Sequence, residues 1–405
     1  MEIVTRGLPT YNASMISVAE ALEILARTVQ RTESEDVPIG EAWGRVLARD
    51  LVCDVDWPPF DTSAMDGYAV RLEDASRPDA QLAERPGIVA AGESSAGALS
   101  PGEAARVMTG APLPSGTEAV IPVERSRRQE GRVRFEIAPV PGAHIRRRGE
   151  SIAAGEKLLE AGRRLSAGDI ALAALAGADP VAVFRRPRVS IAVTGNELVA
   201  PAQKPRAGQL RDSNGPMLLA LCRAAGREAS LKPRVADERS GVERLFAGAG
   251  SDEDLLVTSG GVSAGDLDLL PEIARAGGFE ILFHGVSVRP GKPIILARRG
   301  RVLWIGLPGN PVSSSVGFHV FVRYALDLFE GDAAAGAPRA TARTVAALRA
   351  GGPREAYLDA VFSNAGGENR VEALRSSGSH DIAAHARANA LIRLPAGSIV
   401  ECLRI

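Results

Sequence analysis

Three glycine-bearing loops hold the residues best suited to binding chemistry, and they span 194–197, 258–266 and 306–311. Glycine allows the backbone to approach a ligand closely, so that amide groups can point at phosphate oxygens. Loops of this kind at the carboxyl ends of parallel strands form ligand crevices. Tight turns alone would also explain single glycines. We predict that the crevice is formed by Thr194, Gly195, Ser259, Gly260, Gly261, Ser263, Pro308, Asn310 and Pro311.

Charged and hydroxyl side chains accompany these loops. A carboxylate beside a phosphate is repulsive unless a cation lies between them, so Glu197 and Asp268 predict a Mg²⁺ site. Ser313 lies in the first turn of a predicted helix, whose N-terminus favours anions. Arg289 and Lys292 are separated by a Pro-Gly bend, which either turns both toward one anion or leaves them in solvent.

The sequence lacks the signatures of several other site types. It contains neither a dinucleotide-binding GxGxxG with its downstream acid nor a GxxxxGK[ST] phosphate loop. The five histidines have no metal-ligand spacing, and no Ser-His-Asp arrangement can be argued from the sequence. Ordinary nucleotide hydrolysis and triad chemistry therefore lose support.

Polar residues upstream form a second cluster, in 58–70 and 106–112. On physical grounds Asp61 and Asp66 are expected to hold backbone amides in a capped turn. Thr109 either caps a turn or contacts a ligand. The arginines at 146–148 are typical of a solvated face, although they could also bind phosphate.

The elements that must position these residues predict a multidomain α/β plus β protein. Strands that alternate with helices over 184–330 favour a mainly parallel, helix-covered sheet. Residues 54–146, rich in turns, predict an inserted β module, and 331–405 a small C-terminal β-barrel. Residues 1–53 and 147–183 complete an elongated helical or mixed region, with a first helix from Ser17 to Thr28.

Composition limits the classes of partner. The net charge is -1, from 48 basic and 49 acidic residues, which argues against nucleic acid. No apolar run reaches the length of about 18 residues that a membrane helix needs, and the N-terminus has no signal-peptide core. We therefore expect a cytoplasmic protein that binds no membrane. Cys53, Cys222 and Cys402 are widely spaced and predict neither a zinc site nor a disulfide framework.

Seven sequence strings resemble those of the molybdopterin molybdenumtransferases, the family of the gephyrin E domain. Together they cover essentially the whole chain, and the strings containing AMDGYA and GLPGNPVS are the most specific. In chain order they are PPFDTSAMDGYAV, RVMTGAPLPSGTEAVIPVE, IRRRGESI, VTGNELV, TSGGVSAGDLDLL, VRPGKP and GLPGNPVSS.

The resemblance implies a four-domain homodimer whose site lies between the α/β domain of one subunit and the β modules of the other. It implies Mg²⁺-dependent insertion of molybdenum from molybdate into adenylylated molybdopterin, with release of AMP. Molybdopterin adenylyltransferase would be the upstream supplier. Whether molybdate or tungstate is the physiological oxyanion is left open, because the two have nearly the same charge and shape.

Site roles carry over by motif position. Asp61, Thr109, Glu197 and Asp268 would be catalytic, with Glu197 and Asp268 also holding the metal. The oxyanion set would be Arg289, Lys292, Ser313, Arg354 and Ser379. Two positions depart from the family pattern, since Ser151 and Asn196 stand where an Asp is usual.

Two other functions remain open. Molybdopterin adenylyltransferases share a similar α/β domain, but the module containing AMDGYA argues against that activity. A non-catalytic scaffold or molybdopterin-binding paralogue would bind its partners without turnover.

Overall fold

The centre of the molecule is a six-stranded α/β sheet. The computed structural model describes residues 15–77, 79–93, 97–250, 252–262, 269–348, 352–394 and 399–405. Four neighbouring strands of the sheet are parallel to one another. The fifth strand pairs antiparallel with the fourth, and the sixth pairs antiparallel with the fifth, so the mainly parallel sheet is confirmed. In spatial order the strands are Ala229–Leu231, Val189–Val193, Leu255–Ser259, Val302–Leu307, Ile295–Arg299 and Glu280–His284.

Helices cover both faces of this sheet. Successive strand residues point to opposite faces, so Ile191 enters one apolar core and Ala192 the other. Every residue of Val189–Val193 is buried, as is typical of a doubly covered parallel sheet. The covering helices are Asn214–Ala224, Arg239–Gly248, Leu270–Ala276 and the long helical segment from Pro311 to Phe329.

Two predicted elements differ in detail. The sequence predicts a strand at 231–235, but the strand lies at Ala229–Leu231, because Pro233 cannot donate to a strand ladder. The amphipathic pattern of 312–329 predicts one long helix, but this helix is not uniformly α-helical, since Phe318–Val322 is π-helical between Pro311–Gly317 and Arg323–Phe329. A short parallel pair, Leu198–Val199 with Leu210–Arg211, lies outside the main sheet.

The predicted β module is present as a curled six-stranded sheet. Apolar clusters occupy both its faces, with Tyr68 in one and Ala69 in the other. A short helix, Leu72–Ala75, a 3-10 turn, Val123–Arg125, and a strand pair, Thr62–Ser63 with Ile145–Arg146, accompany it. Its strands in spatial order are Ala119–Pro122, Gly67–Val70, Glu103–Val107, Gln81–Val89, Arg132–Phe135 and Ser126–Gln129.

The region predicted to be helical or mixed contains both helices and short strands. It has two capped helices, Val18–Thr28 and Ala167–Leu175. The pattern of Ser17 followed three residues later by Glu20 predicts a capping box, and the structure confirms it. The remaining elements of the region are short, because proline and glycine interrupt the segments between the helices. They are the 3-10 turn Ile39–Glu41 and two antiparallel strand pairs, Ser34–Val37 with Val181–Phe184 and Leu51–Val52 with Lys157–Leu159.

The first helix packs away from the rest of its region. Val18, Ala21 and Leu25 belong to the apolar core of the α/β sheet. A separate cluster, which includes Leu47 and Leu165, holds the strand pairs and the second helix together. The domain boundaries proposed from the sequence stay a prediction.

The C-terminal strands close into the predicted small barrel. Closure occurs because Glu355–Ala365 pairs both with Glu368–Ala373 and with Ala390–Leu394. Arg339–Thr344 and Ile399–Arg404 complete the ring, and the α/β domain's Val288–Arg289 adds to its outer edge. The barrel also carries a short helix, Ile382–His385.

The three cysteines are free and buried. Within the parts of the chain that the structure describes, no helix has the length and apolar character needed to span a bilayer.

A buried ionic network holds the end of the long helical segment. Asp327 and Glu330 both pair with Arg227, and all three side chains are only 1% exposed. Arg164, from the mixed region, also reaches both acids, at 3.0 Å from Asp327 and 2.7 Å from Glu330. The network therefore joins the α/β domain to the mixed region through charges removed from water.

Replacing Arg227 with methionine is expected to destabilise the protein by about 3–5 kcal/mol, because two buried carboxylates lose a partner. Arg27 pairs with Glu23 on the surface, with 75% and 59% of the two side chains exposed. Arg27→Met is the matched control, with an expected loss of less than about 1 kcal/mol. Chemical denaturation of both variants measures the difference, and equal losses would contradict the role given to the network.

Candidate anion-binding site

The three glycine loops meet in one cleft. Val189–Val193, Leu255–Ser259 and Val302–Leu307 are adjacent and parallel, so their carboxyl ends lie at the same edge of the sheet. The cleft has a volume of about 670 Å³. The predicted residues that line it are Thr194, Gly195, Glu197, Ser259, Gly260, Gly261, Pro308, Asn310 and Pro311.

The glycines allow the loops to pack against one another. Gly260 has φ +96°, and a Cβ there would lie 2.6 Å from the carbonyl oxygen of Thr194. Gly261 has φ +64°, and a Cβ there would lie 2.6 Å from the side chain of Leu270. Any larger residue would push the second loop away from the first. The glycines are thus required for loop packing, whatever ligand the cleft takes.

Asn214 ties two of the loops together, which the sequence analysis missed. Its side-chain amide donates to Ser259 Oγ at 2.9 Å and to the Gly309 carbonyl at 2.7 Å. Ser259 Oγ also contacts Ser314 Oγ at 3.0 Å and donates to the Pro308 carbonyl. Ser259 is 2% exposed, so its hydroxyl holds the cleft floor. From the sequence alone, Ser213 or Asn214 would be predicted only to cap the helix that follows.

The Thr194 hydroxyl differs from the bonded hydroxyls of Ser259 and Ser314. The residue is 4% exposed, and its Oγ has no hydrogen-bond partner among the described residues. A buried hydroxyl without a partner costs free energy until a ligand or water satisfies it. A Cβ at Gly260 would lie 2.8 Å from this Oγ, so the hydroxyl is packed against the second glycine loop.

The predicted oxyanion set surrounds the beginning of the long helix. Ser313 is 4% exposed there, and a Cβ at Gly291 would lie 3.7 Å from its carbonyl oxygen. Arg289 and Lys292 flank Gly291, are exposed, and form no ion pair within the described parts of the chain. The bend between them therefore carries two cations that are available to an anion.

The barrel brings Arg354 and Ser379, the last two members of the oxyanion set, to the beginning of the same helix. The strand that begins directly after Arg354 pairs with Val288–Arg289. The Ser379 carbonyl accepts from the amide of Val312 at 3.1 Å, and Ser379 Oγ accepts from Asn310 at 2.9 Å. All five predicted residues thus lie on elements that meet at one helix N-terminus.

Three carboxylates among the described residues line the cleft. Glu197, Asp212 and Asp237 line it. Asn196 and Asp237 are reciprocally bonded, since Asp237 N–H donates to Asn196 Oδ1 at 3.0 Å and Asn196 N–H donates to Asp237 Oδ2 at 3.3 Å. The amide that replaces the usual Asp thus holds a nearby acid beside the cleft.

Two predicted residues, Ser263 and Asp268, lie outside the described residues. Among the residues that are described, no three His, Cys, Asp or Glu side chains are grouped closely enough to hold a metal. Glu197 is exposed at the cleft mouth. A protein-only metal cage is therefore not present in the described part of the cleft.

The upstream acids act as turn caps. Asp61 accepts from the Arg148 amide at 2.9 Å and pairs with Arg147 at 2.6 Å. Partial burial works to raise the pKa of Asp61, but these two bonds outweigh it and lower the pKa. Asp66 accepts from the Thr109 amide at 2.7 Å and from its hydroxyl at 2.8 Å, and its pKa is lowered mainly by the amide bond.

These bonds confirm the expected capped turns. Ser151, the second departure from the family pattern, follows directly, and its amide donates to the Trp57 carbonyl at 3.1 Å. Neither Asp61 nor Thr109 is among the residues described as lining the cleft. Within one chain, therefore, the structure does not bring them to the glycine loops.

The structure contains a Ser-His-Asp arrangement, although none could be argued from the sequence. His385 Nδ1 lies 2.7 Å from Asp359 Oδ1, and His385 Nε2 lies 2.8 Å from Ser315 Oγ. The three residues are far apart in the chain and meet only because the barrel docks on the long helix. No local spacing in the sequence could have indicated this contact.

Three family models match the chain in order. They describe the "MoeA N-terminal region (domain I and II)" at residues 16–177, a "Probable molybdopterin binding domain" at 190–327 and the "MoeA C-terminal region (domain IV)" at 341–401. A solved structure titled as the molybdopterin biosynthesis MoeA protein of Pyrococcus horikoshii OT3 is 27% identical. It superposes with a TM-score of 0.81 over 97% of this chain and 100% of that one.

Two relatives match over nearly their full length. The molybdopterin molybdenumtransferase of a Nostoc species is 36% identical over 397 residues, which is 95% of this chain and 91% of the relative. Molybdopterin molybdenumtransferase 2 of Mycobacterium tuberculosis is 34% identical over 94% of this chain and 96% of the relative. Since identity above 30% extends over more than nine-tenths of both chains, this chain belongs to the molybdopterin molybdenumtransferase family.

Proposed function

We propose that the chain is a molybdopterin molybdenumtransferase, which inserts molybdenum from molybdate into adenylylated molybdopterin and releases AMP. The observation that carries this proposal is the convergence of three glycine loops on one cleft, beside the helix N-terminus where the elements of the oxyanion set meet. The cleft's volume of about 670 Å³ lies within the range of about 300–1,000 Å³ typical of small-molecule sites.

The protein's part in the reaction is positioning and charge neutralisation. The exposed cations Arg289 and Lys292 suit a tetrahedral dianion. Thr194 lines the cleft, and its buried hydroxyl has no hydrogen-bond partner among the described residues. Holding the oxyanion next to the pterin turns an encounter of separate molecules into a reaction within one complex.

Mg²⁺ fits the residues at the cleft mouth. This ion is commonly bound by one or two carboxylates together with water and substrate phosphates, so a full set of protein ligands is not required. Glu197 supplies an exposed carboxylate, and by motif position Asp268 would supply the second. When bound, the ion would neutralise phosphate charge and polarise the phosphoanhydride.

The proposed working form is a homodimer in the cytoplasm, supplied by a molybdopterin adenylyltransferase. The placement of Asp61 and Thr109 supports the dimer, because within one chain they lie in the β module, neither in the described lining of the cleft nor on an element that meets the helix N-terminus where the oxyanion set lies. Both would complete the cleft of a second copy. Their bonds to Arg147, Arg148 and Asp66 hold them in fixed positions for that contact.

The direct test incubates the purified protein with adenylylated molybdopterin, molybdate and Mg²⁺. We expect release of AMP and activation of an apo-molybdoenzyme, both lost when the metal is chelated. Binding of substrate without turnover would support a scaffold. Adenylylation of molybdopterin from ATP would support the adenylyltransferase instead. Either result, with no AMP released, contradicts the proposal.

Lys292→Gln is expected to raise the KM for molybdate by about 10- to 100-fold, the effect of losing one hydrogen bond to a charged group. Lys157→Gln is the matched control, because Lys157 pairs with Glu160 and Asp50 in the mixed region. Steady-state kinetics with varied molybdate compares the two. A KM that is the same in both variants would remove Lys292 from the oxyanion site.

Mixed dimers test whether the site is shared between subunits. At molybdate concentrations well below the wild-type KM, Asp61→Asn and Lys292→Gln are each expected to be poorly active alone. Mixed after reversible dissociation, they should recover about one quarter of the wild-type rate, because half of the dimers are hybrids with one intact site of two. No recovery, despite hybrids detected by native mass spectrometry, would place Asp61 and Lys292 in the same subunit's site.

A further inference from the structure

Asp359, His385 and Ser315 form a buried hydrogen-bonded chain beside the cleft. The residues are 7%, 9% and 1% exposed, respectively. A carboxylate only accepts hydrogen bonds, so His385 Nδ1 carries the proton that Asp359 receives. In the neutral imidazole, Nε2 then accepts from the hydroxyl of Ser315.

The same residue types form the catalytic triad of hydrolases, but here the serine cannot meet a substrate. A nucleophile must reach the reacting atom, and Ser315 is 1% exposed within the helix Pro311–Gly317. The hydrogen-bonded chain is therefore suited to hold the barrel and the helix in place and not to attack a bond.

Each member of the chain lies on an element that carries part of the proposed oxyanion site. Asp359 is on the barrel strand that begins after Arg354. Ser315 lies two residues after Ser313 in the helix that opens at the cleft. One imidazole thus connects the barrel strand to that helix.

His385 itself ends the segment that bears Ser379. Asp381 caps the short helix by accepting from the Ala384 amide at 3.0 Å, and it also accepts from the Ser377 amide at 2.9 Å. His380 and Ile382, from this same segment, line the cleft. The segment 377–385 is therefore one hydrogen-bonded unit whose inner end is held by His385.

We infer that His385 is a positioning residue which, through Asp359 and Ser315, sets where the barrel places Arg354 and Ser379 relative to Ser313. The inference rests on the proposed function, because it concerns the affinity of the cleft for molybdate. Loss of these hydrogen bonds lets the barrel segment 377–385 shift against the helix Pro311–Gly317. The residues of the oxyanion set then no longer contact the same oxyanion. The chemical step is affected less, because none of the three residues reaches the cleft.

The variants either remove or preserve hydrogen bonds between Asp359, His385 and Ser315. Ser315→Ala removes one bond, and His385→Phe removes both while keeping a ring. Asp359→Asn keeps an acceptor oxygen for Nδ1–H and is the conservative rescue. Ser126→Ala is the matched control, because its hydroxyl donates to the Val123 carbonyl at 2.7 Å in the β module.

Kinetics provides the first readout. Ser315→Ala and His385→Phe are expected to raise the KM for molybdate by about tenfold, as for one buried hydrogen bond, with kcat changed by less than about threefold. Asp359→Asn should stay near wild type. A lowered melting temperature with both kinetic constants unchanged would mean a merely structural role and would overturn the inference.

Hydrogen–deuterium exchange provides a readout that does not depend on turnover. Amides of 377–385 should exchange about tenfold faster in Ser315→Ala and His385→Phe, while Arg339–Thr344 exchanges as in wild type. Unchanged exchange in 377–385 overturns the inference even if the enzyme is active. A wild-type protein that releases no AMP would instead contradict the proposed function, and the exchange data would still decide the positioning.

Discussion

Two consecutive buried serines near the start of the long helix, Ser314 and Ser315, impose the constraint on which the cleft depends. A hydroxyl removed from water must find a partner inside the protein. Ser314 finds it in the cleft floor, at the Pro308 carbonyl and Ser259. Ser315 finds it in the barrel, at His385. The barrel must therefore dock on this helix for the Ser315 hydroxyl to be satisfied, and docking brings Ser379 Oγ to 2.9 Å from the side-chain nitrogen of Asn310, which lines the cleft.

The other end of the same helical segment fixes the rest of the molecule. Asp327 and Glu330 are buried with Arg227 and reached by Arg164 from the mixed region. Burial of charges is tolerated only with such pairing. One segment from Pro311 to Phe329 thus holds the barrel at its beginning, the sheet along its length and the mixed region at its end.

Charges of both signs lie at or beside the cleft. Glu197, Asp212 and Asp237 line it, and the exposed Arg289 and Lys292 belong to the bend that packs beside the helix N-terminus at Ser313. Asp237 reaches the cleft through its bonds with Asn196, so the loss of one acid from the family pattern leaves a carboxylate nearby. Such an arrangement suits a substrate that combines an anion with a metal-bound phosphate.

The sequence by itself determined the elements and the loops of the site. Alternating apolar segments were enough for the parallel sheet and the barrel, because burial on a strand or helix follows a short period in the chain. The glycine loops followed from the same strands, since parallel strands end at one edge. Only the tertiary structure decided how side chains far apart in sequence meet. The Asn214 contacts across two loops, the pairing of Asn196 with Asp237 and the chain from Asp359 to Ser315 depend on how domains dock, and docking leaves no periodic pattern in the sequence.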